Sequence, residues 1–415
     1  MARKILKNIF IYIFSLICIL PMVIMIVYSF KGADGSFSFV QYGKALFQNE
    51  EFFIGFWNSI IYTFVIIGIN IPISLLSAYG FSRFNFKGKG VLYWLYIVLM
   101  LMPFQATIVA QHITLKALNI IDKPIAVILP NIFSTFGTIL MAQYMRGLDK
   151  EIFDAGRIDG FGEFRLFLQI VAPICKSIIS ALTVLTFINY WSMVEQPLVF
   201  IKDAIHMPLS VTLNSSRRFR DIAFACGTLF SILPILLYQF SYEDLVHGIS
   251  ITSGITGKVE GMNNKKGVKT NKQIISKLII IFMISMSVFT LITQKISYIM
   301  TPVVEVVQVQ SGDLKSNPSD PKSKSLGYYT NIVPTSCIHK EGSDSIIYAI
   351  VKGKSIRQKD EVVKMVVKVA ENNQIEAAIQ GGFSPDTQII ERSTKPVMDG
   401  MIVRVLDNRG AHYDE

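Results

Sequence analysis

With 415 residues, 51% of them hydrophobic and only 17% charged, the chain is too apolar for an ordinary soluble domain of its length and reads as a membrane protein. The net charge of +10 does not point to nucleic acid, because Lys and Arg are scattered through short linkers between apolar runs, where orientation signals sit. Cys18, Cys175 and Cys226 fall in or beside apolar runs and Cys337 stands alone downstream. With no C-x-x-C and no His at ligand spacing, neither a disulfide nor a metal site is indicated.

Arg3, Lys4 and Lys7 precede an apolar run over about 8–30. The layout suits a signal peptide, but the run is too long and no small-residue cleavage site follows, so a retained span is expected. Further runs long enough for about 30 Å of hydrocarbon lie near 56–79, 91–110, 125–145, 174–201 and 222–240, which makes six spans. A seventh, near 275–293, stands apart behind a polar linker. Pro72, Pro103, Pro130 and Pro234 each interrupt a backbone ladder, so these spans are expected to be kinked and packed against neighbours. Basic residues near span ends put the N-terminus inside, with Arg83, Lys87 and Lys89, then Arg146, Lys150, Arg157 and Arg165, on the cytoplasmic side. Arg217, Arg218 and Arg220 fall outside against this rule and either bind something or mark a misplaced boundary; a structural or docking role is the expectation.

The longest well-charged piece between apolar runs in the first half is 149–173. Asp149 is placed to cap a helix with Glu151 in its first turn, and Ile152, Ala155 and Asp159 fall near one face. Small Ala155 and Gly156 leave that face low enough for a partner to approach closely. Gly160 and Gly162 break the helix, after which Phe164, Phe167, Leu168 and Val171 repeat at i, i+3, i+4, i+7 until Pro173 admits the chain to the next apolar run. The pattern predicts helix, turn, helix, and from periodicity alone an ordinary solvated loop between spans fits as well.

The spacing resembles the cytoplasmic loop of importer permeases of the ATP-binding-cassette class, where an E-A-A-x-x-x-G core is followed by I-x-x-P. The core stands here as Asp154, Ala155, Gly156 and Gly160, with Arg157 and Asp159 in R-I-D-G and with Ile170, Val171 and Pro173 closing it. Asp replaces the usual Glu and Gly the second Ala, which keeps the size and charge pattern. Within that class the chain is similar to carbohydrate permeases of the second maltose permease subunit type. Other stretches in the family's order are A-Y-G-F-S-R-F-N-F-K-G-K at 78–89, Pro103, Leu129-Pro130 and F-I-N-Y-W at 187–191. The resemblance implies that Glu151, Asp154, Ala155, Gly156, Arg157, Asp159, Gly160 and Pro173 couple the chain to an ATPase.

Polar residues inside the spans need a reason, because an unsatisfied group in hydrocarbon costs several kcal/mol. Asn189, Tyr190, Trp191, Glu195 and Gln196 lie together in the fifth run and Gln105 in the third. Glu195 reads either as a partly wet residue at the outer interface or as part of a sugar path, where aromatic faces meet the C–H side of a pyranose and amides or carboxylates meet its hydroxyls. The resemblance implies the path, because in the related permeases this span lines it.

Past Gly248 the composition turns to Ser, Thr, Gly, Asn and Lys over 250–272, a linker, and 311–325 is expected to be flexible. Short β-branched runs at 346–351, 361–369, 374–379 and 387–390, separated by turn signals, predict a small β-rich domain outside the cell membrane. V-V-E-V-V-Q-V-Q-S-G-D-L at 303–314, I-V-P-T-S-C-I at 332–338 and K-P-V-M-D-G-M-I-V-R-V at 395–405 resemble the start and the membrane-proximal end of membrane-fusion adaptor proteins of efflux systems, without the lipoyl-like domain and helical hairpin.

The expected architecture is thus an all-α polytopic membrane protein, a six-helix importer-permease core at 1–249, followed by a cytoplasmic linker at 250–273, an extra transmembrane helix at 274–297 and an extracytoplasmic β-rich adaptor-like domain at 298–415. The resemblance implies a permease subunit of a sugar or oligosaccharide importer in the cell membrane, partnered by a second permease, two ATPase subunits and an extracytoplasmic sugar-binding protein. No G-x-x-x-x-G-K-[ST] loop occurs, so the chain is expected not to be an enzyme and to bind no cofactor, with ATP and Mg on the partner subunits. The alternative is an accessory or export-coupled membrane protein whose outer domain is the functional part.

Overall fold

The structure is a computed structural model that describes residues 2–32, 35–215, 222–252, 272–316, 323–341, 344–352, 360–384 and 386–406. It divides into two compact units, Met1–Gln294 and Lys295–Glu415.

The first unit is helical. Its helices are α1 (Ala2–Ser29), α2 (Val40–Phe47), α3 (Glu50–Arg83), α4 (Lys89–Leu101), α5 (Phe104–Ala117), α6 (Pro124–Asn131), α7 (Thr135–Arg146) and α8 (Lys150–Ile158). There follow α9 (Glu163–Leu166), a π-helical turn (Phe167–Val171), α10 (Ala172–Ile174), α11 (Lys176–Trp191), α12 (Glu195–Phe200), a 3-10 turn (Ala204–His206), α13 (Leu209–Ser215), α14 (Ala223–Thr252) and α15 (Lys272–Met300). Among the described residues five helices are long and apolar enough to cross a membrane, or seven if each of two bent pairs is one span.

Helix α3 is the axis of this unit. The Asn49 side chain accepts a hydrogen bond from Phe52 N at 3.0 Å, and Glu50 and Glu51 sit in the first turn, so its start is both capped and matched to the helix dipole. Its 34 residues correspond to about 50 Å at 1.5 Å per residue. Three apolar clusters form around it. Phe52, Phe53 and Phe56 meet Phe187, Trp191 and Leu233; Tyr62 and Ile66 meet Val127 and Phe200; Tyr79 and Phe81 meet Met145, Phe153 and Phe167.

Two expected spans depart from single helices. The run at 91–110 breaks at Met102 and Pro103, and its halves α4 and α5 meet at 102°. Pro103 does more than kink the span: without an N–H it cannot continue the ladder, so it becomes the residue that starts a new helix. The run at 174–201 ends as a regular helix at Trp191, and 192–194 separate it from α12. The helix at 272–300 also differs from its expected isolation. Met286 is buried among Phe52, Phe56 and Leu233, Trp57 Nε1 donates to Thr290 Oγ1 at 3.0 Å, and Thr293 Oγ1 donates to Leu46 O. At its other end Lys272 Nζ lies 3.0 Å from Asp244 Oδ2. Hydropathy marked α15 as apolar without showing which of its residues have partners.

The second unit is a nine-stranded sheet of β1 (Val303–Gln308), β2 (Gln310–Lys315), β3 (Ser325–Pro334), β4 (His339–Glu341), β5 (Asp344–Val351), β6 (Asp360–Asn372), β7 (Glu376–Gln380), β8 (Gln388–Ser393) and β9 (Ile402–Leu406). Strand order is β2-β3-β7-β6-β9-β1-β8-β5-β4, and β5 also pairs with β6. The five strands β1, β8, β5, β6 and β9 therefore close into a ring around Val304, Ile350, Val362, Ile390 and Val403. The four strands expected from β-branched runs are present. Residues 311–315, expected to be flexible, are paired with β3, while 317–322 lie outside the described residues. Cys337 is buried, and that burial pushes its thiol up to about 11, helped by the Glu391 charge and opposed by a Ser336 hydrogen bond.

Candidate functional site

The stretch 149–173 folds as helix, turn and helix, with Gly160 at φ +81° in the left-handed region that the turn requires. Asp149 precedes α8 but its side chain makes no cap bond, so only the position of the helix start agrees with the expectation. Helix α8 buries Phe153 and Gly156 and turns Glu151, Asp154, Ala155, Arg157, Ile158 and Asp159 outward. Gly156 thus does not serve an outside partner. A Cβ there would lie 2.8 Å from Ile170 Cδ1 and 3.2 Å from Leu166 Cδ1, so its smallness lets α8 pack on the second helix of its own loop. Pro173 does not end that helix either; it sits in α10, continuous with the π-helical turn before it. Ile158 is 86% exposed and Phe164 70%, and with Leu168 they place large apolar side chains on the surface of this charged loop.

Tyr79, Arg83 and Glu163, none of them among the site residues expected from sequence, join Arg157 in holding this loop in place. Tyr79 OH donates to Glu163 Oε2 at 2.7 Å, and Arg157 donates through Nε at 3.1 Å and Nη2 at 2.9 Å to Glu163 Oε1. Arg157 Nη1 reaches Asp154 Oδ1 at 3.4 Å, and the Glu163 hydrogen bond, aided by its charge, raises the Arg157 guanidinium further above its ordinary value. The Arg83 guanidinium lies 3.4 Å from the centre of the Phe153 ring, and its Nη2 donates to Met145 O at 2.6 Å and Leu148 O at 3.3 Å. Tyr79 and Arg83 stand in the A-Y-G-F-S-R stretch, where a tyrosine and an arginine closing an apolar run were the available signal.

The residues proposed by type for a path separate into two groups. Gln105 Nε2 donates to both carboxylate oxygens of Glu195 at 3.1 Å, so two residues 90 positions apart meet on an exposed surface. Gln196 and Asn131 exchange side-chain amide hydrogen bonds, Gln196 Nε2 to Asn131 Oδ1 at 3.2 Å, while Tyr190 OH and Asn70 Nδ2 both donate to Asn131 O, at 3.3 and 3.1 Å. Asn189 is exposed. Trp191 is not a lining residue: it is 1% exposed, stacked on Phe187 and Phe230 at centroid distances of 5.4 and 4.7 Å. Its Nε1 donates to Phe230 O at 3.2 Å. Pro234 lies four residues after Phe230 in α14 and has no N–H for that carbonyl, so the indole satisfies the group that the proline leaves open. Beside this region Asp122 Oδ1 accepts from Lys202 N at 2.7 Å and Asp203 N at 2.9 Å. Arg217, Arg218 and Arg220 lie outside the described residues. Among the described residues no cluster of His, Cys, Asp and Glu is placed to hold a metal.

Residues 70–251 match the family described as binding-protein-dependent transport system inner membrane component. The chain is 28% identical to the arabinooligosaccharides transport system permease protein AraQ of Bacillus subtilis (strain 168), covering 53% of this chain and 79% of that one. It is 33% identical to the sn-glycerol-3-phosphate transport system permease protein UgpE of Yersinia enterocolitica, over 38% of this chain and 56% of the relative. A crystal structure of a bacterial ABC transporter involved in the import of the acidic polysaccharide alginate shares its fold, with a TM-score of 0.52 at 19% identity over 57% of this chain and 94% of that one. The apolar helices and these likenesses agree: the chain is a multi-pass membrane protein whose helical unit is similar, over 70–251, to the inner-membrane component of binding-protein-dependent transport systems.

Proposed function

We propose that this chain is one permease subunit of an ATP-driven, binding-protein-dependent importer of a sugar or oligosaccharide, forming half of the translocation path. It pairs with a second permease and two ATPase subunits, receives substrate from an extracytoplasmic sugar-binding protein, and leaves ATP and Mg to the partners. The observation that carries this reading is the outer face of α8 within the matched segment. Ile158 at the end of α8 and Phe164 in α9 expose apolar surface in a loop that also exposes Asp154, Arg157 and Asp159, the composition of a contact with another protein. In this reading Asp154, Ala155 and Asp159 meet the ATPase, Gly160 makes the turn and Gly156 holds the loop together from within. Gln105, Glu195, Gln196, Tyr190 and Asn189 remain the path candidates. The charge rule supports 149–173 on the cytoplasmic side, α15 as a seventh span and the β unit as extracytoplasmic.

A tagged full-length chain extracted from its native membrane is expected to bring down a second permease, ATPase subunits and a sugar-binding protein. Retrieval of an outer adaptor or an exporter in their place would move the function to the β unit.

A further inference from the structure

Helix α3 is bonded through side chains at both ends and in its middle. At one end Asn58 Nδ2 donates to Ile205 O at 2.6 Å and Met207 O at 3.0 Å, and Tyr62 OH donates to His206 O at 2.7 Å. In the middle Asn70 holds Asn131, the partner of Gln196. At the other end Tyr79 holds Glu163, and Arg83 covers Phe153 on the inner face of α8. These attachment points lie in loops or short helices, and α3, the longest described helix at 34 residues, touches both the α8 region and the segment around α12.

We propose that Tyr79 and Arg83 are positioning residues that fasten α8 to α3, so that a displacement of α8 is carried along α3 to the α12 segment bearing Glu195 and Gln196. Glu163 is the joint, taking Tyr79 on one oxygen and Arg157 of α8 on the other. Stability alone does not call for an arginine at 83. Its Nε is enclosed with no hydrogen-bond partner among the described residues, an unmet donor whose burial is unfavourable and which an apolar side chain would not bring. An arginine fits a different need: its flat guanidinium lies over the Phe153 ring while two α7-end carbonyls fix its edge, so α8 cannot slide without α3.

The inference rests on the importer reading, and the test separates the two. In the purified full complex, on a Cys18→Ser background, spin labels replace exposed Val98 on α4 and exposed Leu198 on α12, and the distance is read with and without the non-hydrolysable nucleotide AMP-PNP. A nucleotide-dependent shift is expected in the otherwise unsubstituted complex and its loss in Tyr79→Phe, in Glu163→Gln and in Arg83→Lys, with complex recovery and nucleotide binding retained. The double variant Tyr79→Phe/Glu163→Gln is expected to be no worse than Glu163→Gln alone, because that change already weakens the one bond that Tyr79→Phe removes. If the singly substituted complexes shift as far as the unsubstituted one, the fastening is wrong and the importer reading stands. If AMP-PNP produces no shift in the unsubstituted complex, the importer reading fails and the fastening falls with it.

Discussion

Around α8 the chain is held by charged side chains in the open, with Arg157 between Asp154 and Glu163, whereas around α11 and α12 it is held by a buried indole and by amides that satisfy one another. The first region exposes apolar groups that no other described residue covers, as Ile158 shows. The second uses the Trp191 indole and the amides of Asn131 and Gln196 to close its own interior. Side chains at α8 are therefore expected to matter to a partner more than to the fold, and side chains at the end of α11 the reverse.

Trp191→Ala removes the centre of an aromatic stack and leaves the Phe230 carbonyl open. It should cost roughly 3–5 kcal/mol of stability, read as a large drop in the thermal midpoint of the detergent-solubilised protein. Trp191→Phe should cost less, and less still when combined with Pro234→Ala, which returns an N–H to Phe230. A Trp191→Ala protein of normal midpoint with impaired transport would reverse the assignment and make the residue part of the path.

Gly160→Val forces a β-branched residue into φ +81°, a strain of about 1–3 kcal/mol confined to the turn. Open space surrounds the glycine, so the expected loss is in coupled uptake, with assembly largely kept. Intact transport in this variant would remove the turn from the account.

Asp122 gives a smaller effect at the other region. Burial opposes its ionisation, but the N–H groups of Asp203 and Lys202, with the His206 and Lys202 charges, outweigh it and hold the carboxyl below its ordinary value of 3.8. A depressed folded-state pKa means that the contribution is complete above that ordinary value and is lost as pH falls below it through the folded value. The midpoint difference between the native chain and Asp122→Asn should therefore be constant from neutral pH down to about pH 5 and shrink below pH 4; a difference that grew on acidification would contradict the assignment.

Asp154→Lys should have the least effect on the fold, within about 0.5 kcal/mol for an exposed side chain, because its ion-pair partner among the described residues is the also exposed Arg157 at 3.4 Å. It should still weaken ATPase association. A midpoint drop comparable to that of Trp191→Ala would erase the contrast between the two regions.

Much of the α8 region was legible in the sequence because its signals are local: a charged interval between apolar runs, two glycines at a turn and an i, i+3, i+4, i+7 repeat. What escaped was contact at long range. Nothing near Gly156 says that Ile170 packs against it, and nothing near Glu163 says that Tyr79, 84 residues earlier, is its partner. At the end of α11 residue type misled for the same reason. A tryptophan beside asparagine and tyrosine has the composition of a sugar site, but its use was decided by a proline 43 positions on that left a carbonyl free. Gln105 and Glu195 are each legible as polar groups in different apolar runs, and only the fold joins them.

The most direct test is a photo-crosslinking residue at position 158 in the assembled complex, with position 153 on the buried face of α8 as its internal control. An adduct between position 158 and an ATPase subunit, absent from position 153, is the predicted result. An adduct to lipid or to another part of this chain at 158, with no ATPase adduct, would contradict the account.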